Sequence, residues 1–438
     1  MILVDKALER RARAGNPVRV GLVGAGYMGR GIALQIVTAF PGLRLAAISN
    51  RTLSGAERAY REAGITDFVH AENVAHMETA IAEGRAAVTG DALLLSEADG
   101  LDVIVEATGE IEFGARVVMK ALERRKHVVL MNAELDATLG PILKTYADQN
   151  GVILTNTDGD EPGVAMNLFR FVKTIGFRPV LAGNLKGFYD PHRTPETQRK
   201  FAEEHHQKPR LITSFVDGTK LSMELTVLAN ATGFGVGKRG MYGPRCSHVK
   251  DALKFFPEKE LLGGGLVDYL LGAEPGTGAF VVAYNQHPVR QQYMKYFKMG
   301  DGPFYVFYTP FHLPHLELPV TVARAALFGD ATVAPAGGPV CDVVTVAKRD
   351  LKAGEVLDGI GGFTCYGLIE NSGIFRAENL LPMGLSEGCR LQRHIPMDSP
   401  VTRGDVELPE GRLCDALRAE QDVRFAHVPV QQEMETGG

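Results

Sequence analysis

The stretch Gly24-Ala-Gly26-Tyr-Met-Gly29 constrains the fold of this chain more than any other feature. It follows a compact apolar run, residues 18–23, and opens a stretch with helical spacing, residues 28–39. Glycine spacing of this kind is weak evidence alone, but between a strand and a helix it gains a physical meaning. The first glycine permits the tight turn, the second lets a pyrophosphate approach the backbone, and the third lets helix and strand pack closely. The helix then presents its free amides and its positive dipole end to the phosphates. Gly24, Gly26, Tyr27, Met28 and Gly29 are the expected contacts of a dinucleotide cofactor.

The surrounding sequence repeats the same rhythm. Strands are expected at 43–48, 101–105, 127–131 and 151–155, with helices near 56–63 and 114–124. Such alternation predicts an α/β fold with a doubly wound parallel sheet. An alanine-rich helical stretch, 70–100, interrupts it. The expected organisation is an N-terminal helical arm (1–15), a Rossmann domain (16–159) and an α+β catalytic and dimerisation domain (160–333). Within the last, strands at 179–185 and 302–308 lie far apart, and a helix at 318–327 is expected to pack back on the Rossmann domain. After the Gly/Pro-rich linker 334–339, a small β-rich domain occupies 340–430, and residues 430–438 read as a frayed end.

Three strand ends refine the cofactor. The second strand runs into Ser49-Asn50-Arg51-Thr52 and lacks the acidic residue that holds a free ribose 2'-hydroxyl. Asn50 and Thr52 can hydrogen-bond a 2'-phosphate and Arg51 can pair with it, so NADP(H) is favoured over NAD(H). Small residues in Glu106-Ala107-Thr108-Gly109 leave room for the nicotinamide half, and Asn132 and Glu134 end the next strand on the same side.

Composition narrows the partners. The net charge of -5 argues against general attraction to nucleic acid or anionic membranes. Five cysteines, widely scattered and without a CxxC pair, fit a reducing compartment and no structural zinc site. The first residues lack a signal-peptide core, and no apolar run is long enough to span a bilayer, so a cytoplasmic protein is expected.

Several residues in the middle of the chain carry reactive chemistry. Lys220 and Glu224, four apart, share one helix face, and a lysine beside a carbonyl can donate a proton as hydride arrives. Asp158, Asp160 and Glu161 cluster after a strand end, where they can hold substrate hydroxyls, Mg²⁺ or Mn²⁺, or simply form a turn. Lys186 follows a strand end at the expected crevice, with His192 in the loop beyond it. The glycine-rich stretch 233–240 carries Lys238 and Arg239, a cradle for a phosphate or a plain surface loop. His312 and His315 flank Pro314, which reads as incompatible with a regular helix there.

Two resemblances bear on these residues. The N-terminal half resembles the homoserine dehydrogenase group in the glycine motif, Glu106-Ala-Thr-Gly109, Asn132 and the segment from Asp217-Gly-Thr-Lys220 to Asn230. That group carries Asp then Lys four apart, with a later Arg. Here Lys220 precedes Glu224 and Asn230 stands at the Arg position. The whole chain is more similar to reductoisomerase-like proteins that convert 1-deoxy-D-xylulose 5-phosphate to 2-C-methyl-D-erythritol 4-phosphate with NADPH, an isoprenoid precursor step. The segments Asp158-Gly-Asp-Glu-Pro-Gly163 and Gly183-Asn-Leu-Lys-Gly187 carry that similarity. The C-terminal part resembles an SAF domain in the segment from Ala347 to Leu357, in Leu381-Pro-Met-Gly-Leu385 and in the stretch from Ile395 to Thr402.

The resemblance implies an NADPH-dependent oxidoreductase, a homodimer, with a small and phosphorylated substrate. Lys186, Lys220, Glu224, Asp160 and Glu161 are the expected catalytic residues. Two alternatives stay open: a dehydrogenase of another small hydroxy compound, and a non-catalytic NADP-sensing or assembly protein.

Overall fold

The computed structural model describes residues 3–426, which form two compact units. The first comprises the chain up to Asp160 together with Leu313–Ala334. The second comprises Glu161–His312 and the chain from Pro335 on. The stretch 430–438, read as frayed, lies outside the described residues.

The first unit is built on seven parallel strands: β1 (Val18–Val23), β2 (Leu43–Ser49), β3 (Phe68–His70), β4 (Ala86–Thr89), β5 (Val103–Glu106), β6 (His127–Leu130) and β7 (Leu154–Asn156). Their order is β3-β4-β2-β1-β5-β6-β7. The strand order reverses direction between β1 and β5, and the glycine turn after β1 opens at that switch point, where ligands of such sheets bind. Val20, Leu22, Val103 and Val105 are fully buried, as strands covered on both faces must be.

Residues 70–100 do not interrupt the alternation. They contribute β4 and two helices, Val74–Ala82 and Ala92–Glu97, and β4 inserts between β3 and β2. The strand is only Ala86-Ala-Val-Thr, and alanine favours helix over sheet. Tertiary pairing overrides that preference.

Helix Pro314–Phe328 belongs to this unit although it lies far along the chain. Its Leu318, Val322 and Ala323 join the core of Val20, Leu22, Ile32 and Ile36. Pro314 does not exclude a helix here. It stands in the first turn, where its missing N–H costs nothing.

The second unit holds a mixed sheet of β8 (Arg178–Lys186), β9 (Leu266–Leu271), β10 (Ala279–Tyr284) and β11 (Phe304–Thr309), in the order β11-β10-β8-β9. Helix Glu161–Thr174 packs on it. Helix Thr219–Thr232 is buried nearly all round, from Leu221 through Asn230. It packs on β8 and β9 and also on a hairpin of β12 (Cys341–Ala347) and β13 (Cys365–Asn371). Left-handed glycines bound it at Gly218 and Gly233.

The C-terminal segment, expected as a separate domain, is therefore part of the second unit. It adds a short ladder of β14 (Arg390–Leu391) and β15 (Val406–Glu407) and a closing helix, Leu413–Arg424. Arg418 of that helix makes two 2.7 Å bonds to Asp342 of β12, with both side chains buried.

Candidate active site

The glycine turn has the shape a dinucleotide needs. Gly24 has φ +101°, and a Cβ on it would sit 2.8 Å from the Ala107 carbonyl oxygen. A Cβ on Gly29 would lie 2.1 Å from the Gly24 oxygen. Above Gly26 there is open space, with nothing within 4 Å of a hypothetical Cβ. Gly26 caps helix Tyr27–Ala39, and no side chain occupies its first amides. An open cradle over uncapped amides fits a pyrophosphate. Tyr27 is half-exposed beside it and Met28 is half-buried.

Asn50 is used differently from expectation. Its Oδ1 accepts from the Ala25 amide at 3.1 Å and its Nδ2 donates to the Thr52 carbonyl at 2.8 Å. One end of the amide braces the glycine turn and the other the bend after β2. Arg51 and Thr52 are both exposed.

The sequence motif includes Glu106 without assigning it a role. It ends β5, beside Val23 of β1, and is fully buried. Oε1 accepts from the Thr108 amide at 2.9 Å and from the Thr108 hydroxyl. Oε2 accepts from Asn132 Nδ2 at 2.8 Å. Burial pushes its carboxyl up to about 7 against the pull of these donors. The signal available was an acidic residue closing an otherwise apolar strand. Asn132 is committed as well: it also donates to the Glu110 carbonyl and caps helix Ala133–Gln149 through Leu135 N. It holds the turn 107–109 in place from behind. In that helix's first turn Glu134 and Asp136 are buried, and burial lifts Asp136 to about 7.

The second unit gathers the expected reactive groups. Lys186 ends β8, Asn184 precedes it on the same strand, Lys220 and Glu224 lie on helix Thr219–Thr232, and Glu161 opens helix Glu161–Thr174. Lys220 Nζ is 3.8 Å from Glu224 Oε1, with side-chain exposures of 13% and 3%, so this is no solvated surface pair. Asn184 Nδ2 donates to Glu224 Oε2 at 3.2 Å. Glu161 and Glu224 bring carboxylate oxygens within 4.8 Å of each other. His312 Nε2 is 3.5 Å from Glu161 Oε1, and its Nδ1 meets Thr277 Oγ1 at 3.0 Å. Burial would push Glu161 up, but His312, Lys186 and Lys220 together hold it below the usual carboxylate range. Two lysines and two glutamates thus share one largely buried patch.

Most of the other candidates have different surroundings. Asp158 is no open metal ligand: Thr321 and Thr332 hydroxyls reach its Oδ2 at 2.9 and 2.7 Å, and Arg324 reaches Oδ1 at 2.6 Å. It anchors helix Pro314–Phe328 inside the first unit. Asp160, also buried, directly precedes Glu161 and belongs to the same acidic group as Glu161 and Glu224. Arg239 is paired with Glu370 and Glu378 at 2.9 and 2.7 Å, which weakens the case for a phosphate cradle at 233–240. His192 pairs with Asp398 at 2.9 Å. His315 packs against Gly31 within the first unit, so His312 and His315 serve different units.

Two family models match parts of the chain. Residues 18–131 match the model "Oxidoreductase family, NAD-binding Rossmann fold", and residues 159–318 match "Oxidoreductase DRL, catalytic domain". No curated protein matches the chain. Among solved structures, a probable dehydrogenase from Thermotoga maritima is 13% identical over 73% of this chain and 90% of its own, with TM-score 0.42. Myo-inositol dehydrogenase from Lactobacillus casei is 15% identical over 66% and 74%, with TM-score 0.35. Myo-inositol dehydrogenase from Corynebacterium glutamicum is 13% identical over 72% and 90%, with TM-score 0.40.

Two oxidoreductase models in tandem, over a Rossmann unit and a unit with a buried lysine–glutamate patch, make the protein an oxidoreductase enzyme. Its cofactor is a nicotinamide dinucleotide. This sets aside the non-catalytic sensor. Among the described residues, no helix is long and apolar enough to cross a membrane.

Proposed function

We propose that the enzyme reduces the carbonyl of a small polar substrate with NADPH, at the patch formed by Lys186, Lys220, Glu161 and Glu224. The patch itself carries the reading. Two ammonium groups are gathered where a carbonyl oxygen would gain charge, and buried carboxylates hold them there. Arg51, with no acidic neighbour at the end of β2, supports NADPH over NADH.

When bound, the reduced nicotinamide supplies hydride. The residues of this chain do the rest. Lys186 and Lys220 polarise the substrate oxygen, and Lys220 gives it a proton as charge builds. Glu224, fixed by Asn184, orients the Lys220 ammonium. His312, aligned by Thr277, keeps Glu161 ionised.

The narrower reading is the reductoisomerase substrate, 1-deoxy-D-xylulose 5-phosphate, supported by the sequence resemblance. It calls for a divalent cation to chelate adjacent substrate oxygens. Glu161 and Glu224 would hold it with oxygen ligands of the right kind, in competition with the lysines. The C-terminal SAF-like segment and a homodimer belong to the same reading.

The test is NADPH oxidation with 1-deoxy-D-xylulose 5-phosphate against aspartate semialdehyde, with and without Mg²⁺ or Mn²⁺. Conversion of the sugar phosphate to the branched polyol phosphate is the expected result. Turnover of the semialdehyde alone would replace it with the homoserine-type reading. Tight NADPH binding without turnover of either would refute both substrates.

A further inference from the structure

Helix Thr219–Thr232 carries Lys220 and Glu224, yet much of its polar anchoring comes from the C-terminal segment. Gly367 N donates to Thr219 Oγ1 at 2.9 Å, and Ser222 Oγ donates to the Gly367 carbonyl at 3.0 Å. Further along, Asn230 Oδ1 accepts from the amides of Val340 and Cys341 at 2.8 and 3.1 Å. Thr219, Ser222 and Asn230 form a stripe beside the one bearing Lys220 and Glu224. The hairpin β12–β13 and its lead-in thus grip the helix along its length.

One residue joins this grip to the other lysine. Lys348 follows β12 directly, and its side chain is 2% exposed. Its ammonium donates to three oxygens: the Arg193 carbonyl at 2.8 Å, Asp217 Oδ2 at 2.9 Å and the Gly362 carbonyl at 2.9 Å. Three donors are all a lysine has. Arg193 lies in the loop that continues from Lys186. Asp217 immediately precedes the helix of Lys220, and its Oδ1 accepts from Thr219 N at 2.9 Å. A second clamp runs parallel: His192 in the same loop meets Asp398, which also accepts from the Tyr366 hydroxyl of β13. All these groups lie in the second unit.

We propose that Lys348 is a positioning residue: from the C-terminal segment it ties the Lys186 loop to the start of the Lys220 helix and so sets the spacing of the two lysines. A buried ion pair is a poor source of stability but a good locator, because its bonds are satisfied in one arrangement only. This rests on the reading of Lys186 and Lys220 as the carbonyl site. It gives the C-terminal segment a direct part in that site's geometry.

The test uses the full chain with Lys348→Met, Lys348→Arg and the charge-neutral pair Lys348→Met with Asp217→Asn. The pair leaves no orphaned buried charge, so it guards against simple misfolding. Two readouts are taken. One is kcat and KM across pH. The other is the ¹³C resonance of reductively methylated Lys220, assigned by its loss in Lys220→Arg, followed through a pH titration. A displaced catalytic group can cost on the order of 100-fold in rate. The expected result is a fall of that size in kcat for the charge-neutral pair, with NADPH affinity kept, and a displaced Lys220 titration. Lys348→Arg should recover part of the loss. Wild-type kcat and an unmoved Lys220 titration in the folded pair would overturn the proposal. If the wild-type enzyme turns over no carbonyl substrate, the proposed function fails, and the Lys220 titration still decides the role of Lys348.

Discussion

Replacing Glu106 by Gln should weaken the protein at low pH but not at high pH. Burial raises this carboxyl from 4.5 to about 7. A raised carboxyl means that the native state holds a proton the unfolded chain has released, so stability is highest below the unfolded value and is lost as pH rises through 7. A rise of about 2.5 units at 1.36 kcal/mol each amounts to roughly 3 kcal/mol lost between pH 4.5 and 8. Glutamine cannot ionise and escapes that loss. It pays elsewhere, because N–H donors face both oxygens, Thr108 N at Oε1 and Asn132 Nδ2 at Oε2. An amide set between two donors leaves one unsatisfied, at about 1–3 kcal/mol. Glu106→Gln should therefore be the weaker protein at pH 5 and equal to or stronger than wild type at pH 8. The assay is urea unfolding of both proteins at each pH, read as their difference so that Asp136, also lifted to about 7, cancels. A variant weaker by the same amount at every pH would refute the reasoning. It would mean that the three hydrogen bonds keep Glu106 ionised throughout.

Gly29→Ala should abolish NADPH binding, followed by nicotinamide fluorescence, since its Cβ would stand 2.1 Å from the Gly24 oxygen. Arg51→Ala should weaken NADPH by roughly 10- to 100-fold, the worth of a charge-assisted bond, and leave NADH almost unchanged. Equal losses for both cofactors would remove Arg51 from the 2'-phosphate. Lys220→Met should lower kcat by about 10²–10⁴-fold with NADPH affinity retained, as steady-state kinetics and binding titration would show. Arg418→Met should cost about 3–5 kcal/mol in denaturant unfolding, because it leaves Asp342 buried without its partner.

The parts of the molecule most legible in sequence were those where one local pattern decides the structure. The glycine turn and the apolar runs of β1, β2 and β5 announce a parallel sheet, because a strand buried on both faces must be continuously apolar. Lys220 and Glu224 could be paired because helix spacing alone brings i and i+4 together. Where long-range contact decides, the sequence was silent. Ala86–Thr89 becomes β4 only because its neighbours supply a pairing edge on each side. Asp158 reads as one of an acidic trio, but Thr321, Arg324 and Thr332, far along the chain, claim it. Asn50 and Asn132 read as ligand contacts, and spacing gave no sign that their side chains also bond to Ala25, Thr52, Glu106, Glu110 and Leu135. No spacing rule points to Lys348, because its three partners come from three separate stretches of chain.

Helix Pro314–Phe328 has a consequence for how the protein is made. Leu318, Val322 and Ala323 fill a core whose other walls are encoded before residue 160. The interval from 160 to 334 is 174 residues. At translation rates of about 5–20 residues per second, the nascent Rossmann sheet waits roughly 10–35 s with that core face uncovered. For that time it is a natural client for a chaperone. A gene fragment that stops near codon 160 would express a permanently unfinished domain, so a stable excised version would need residues 313–334 fused to its end.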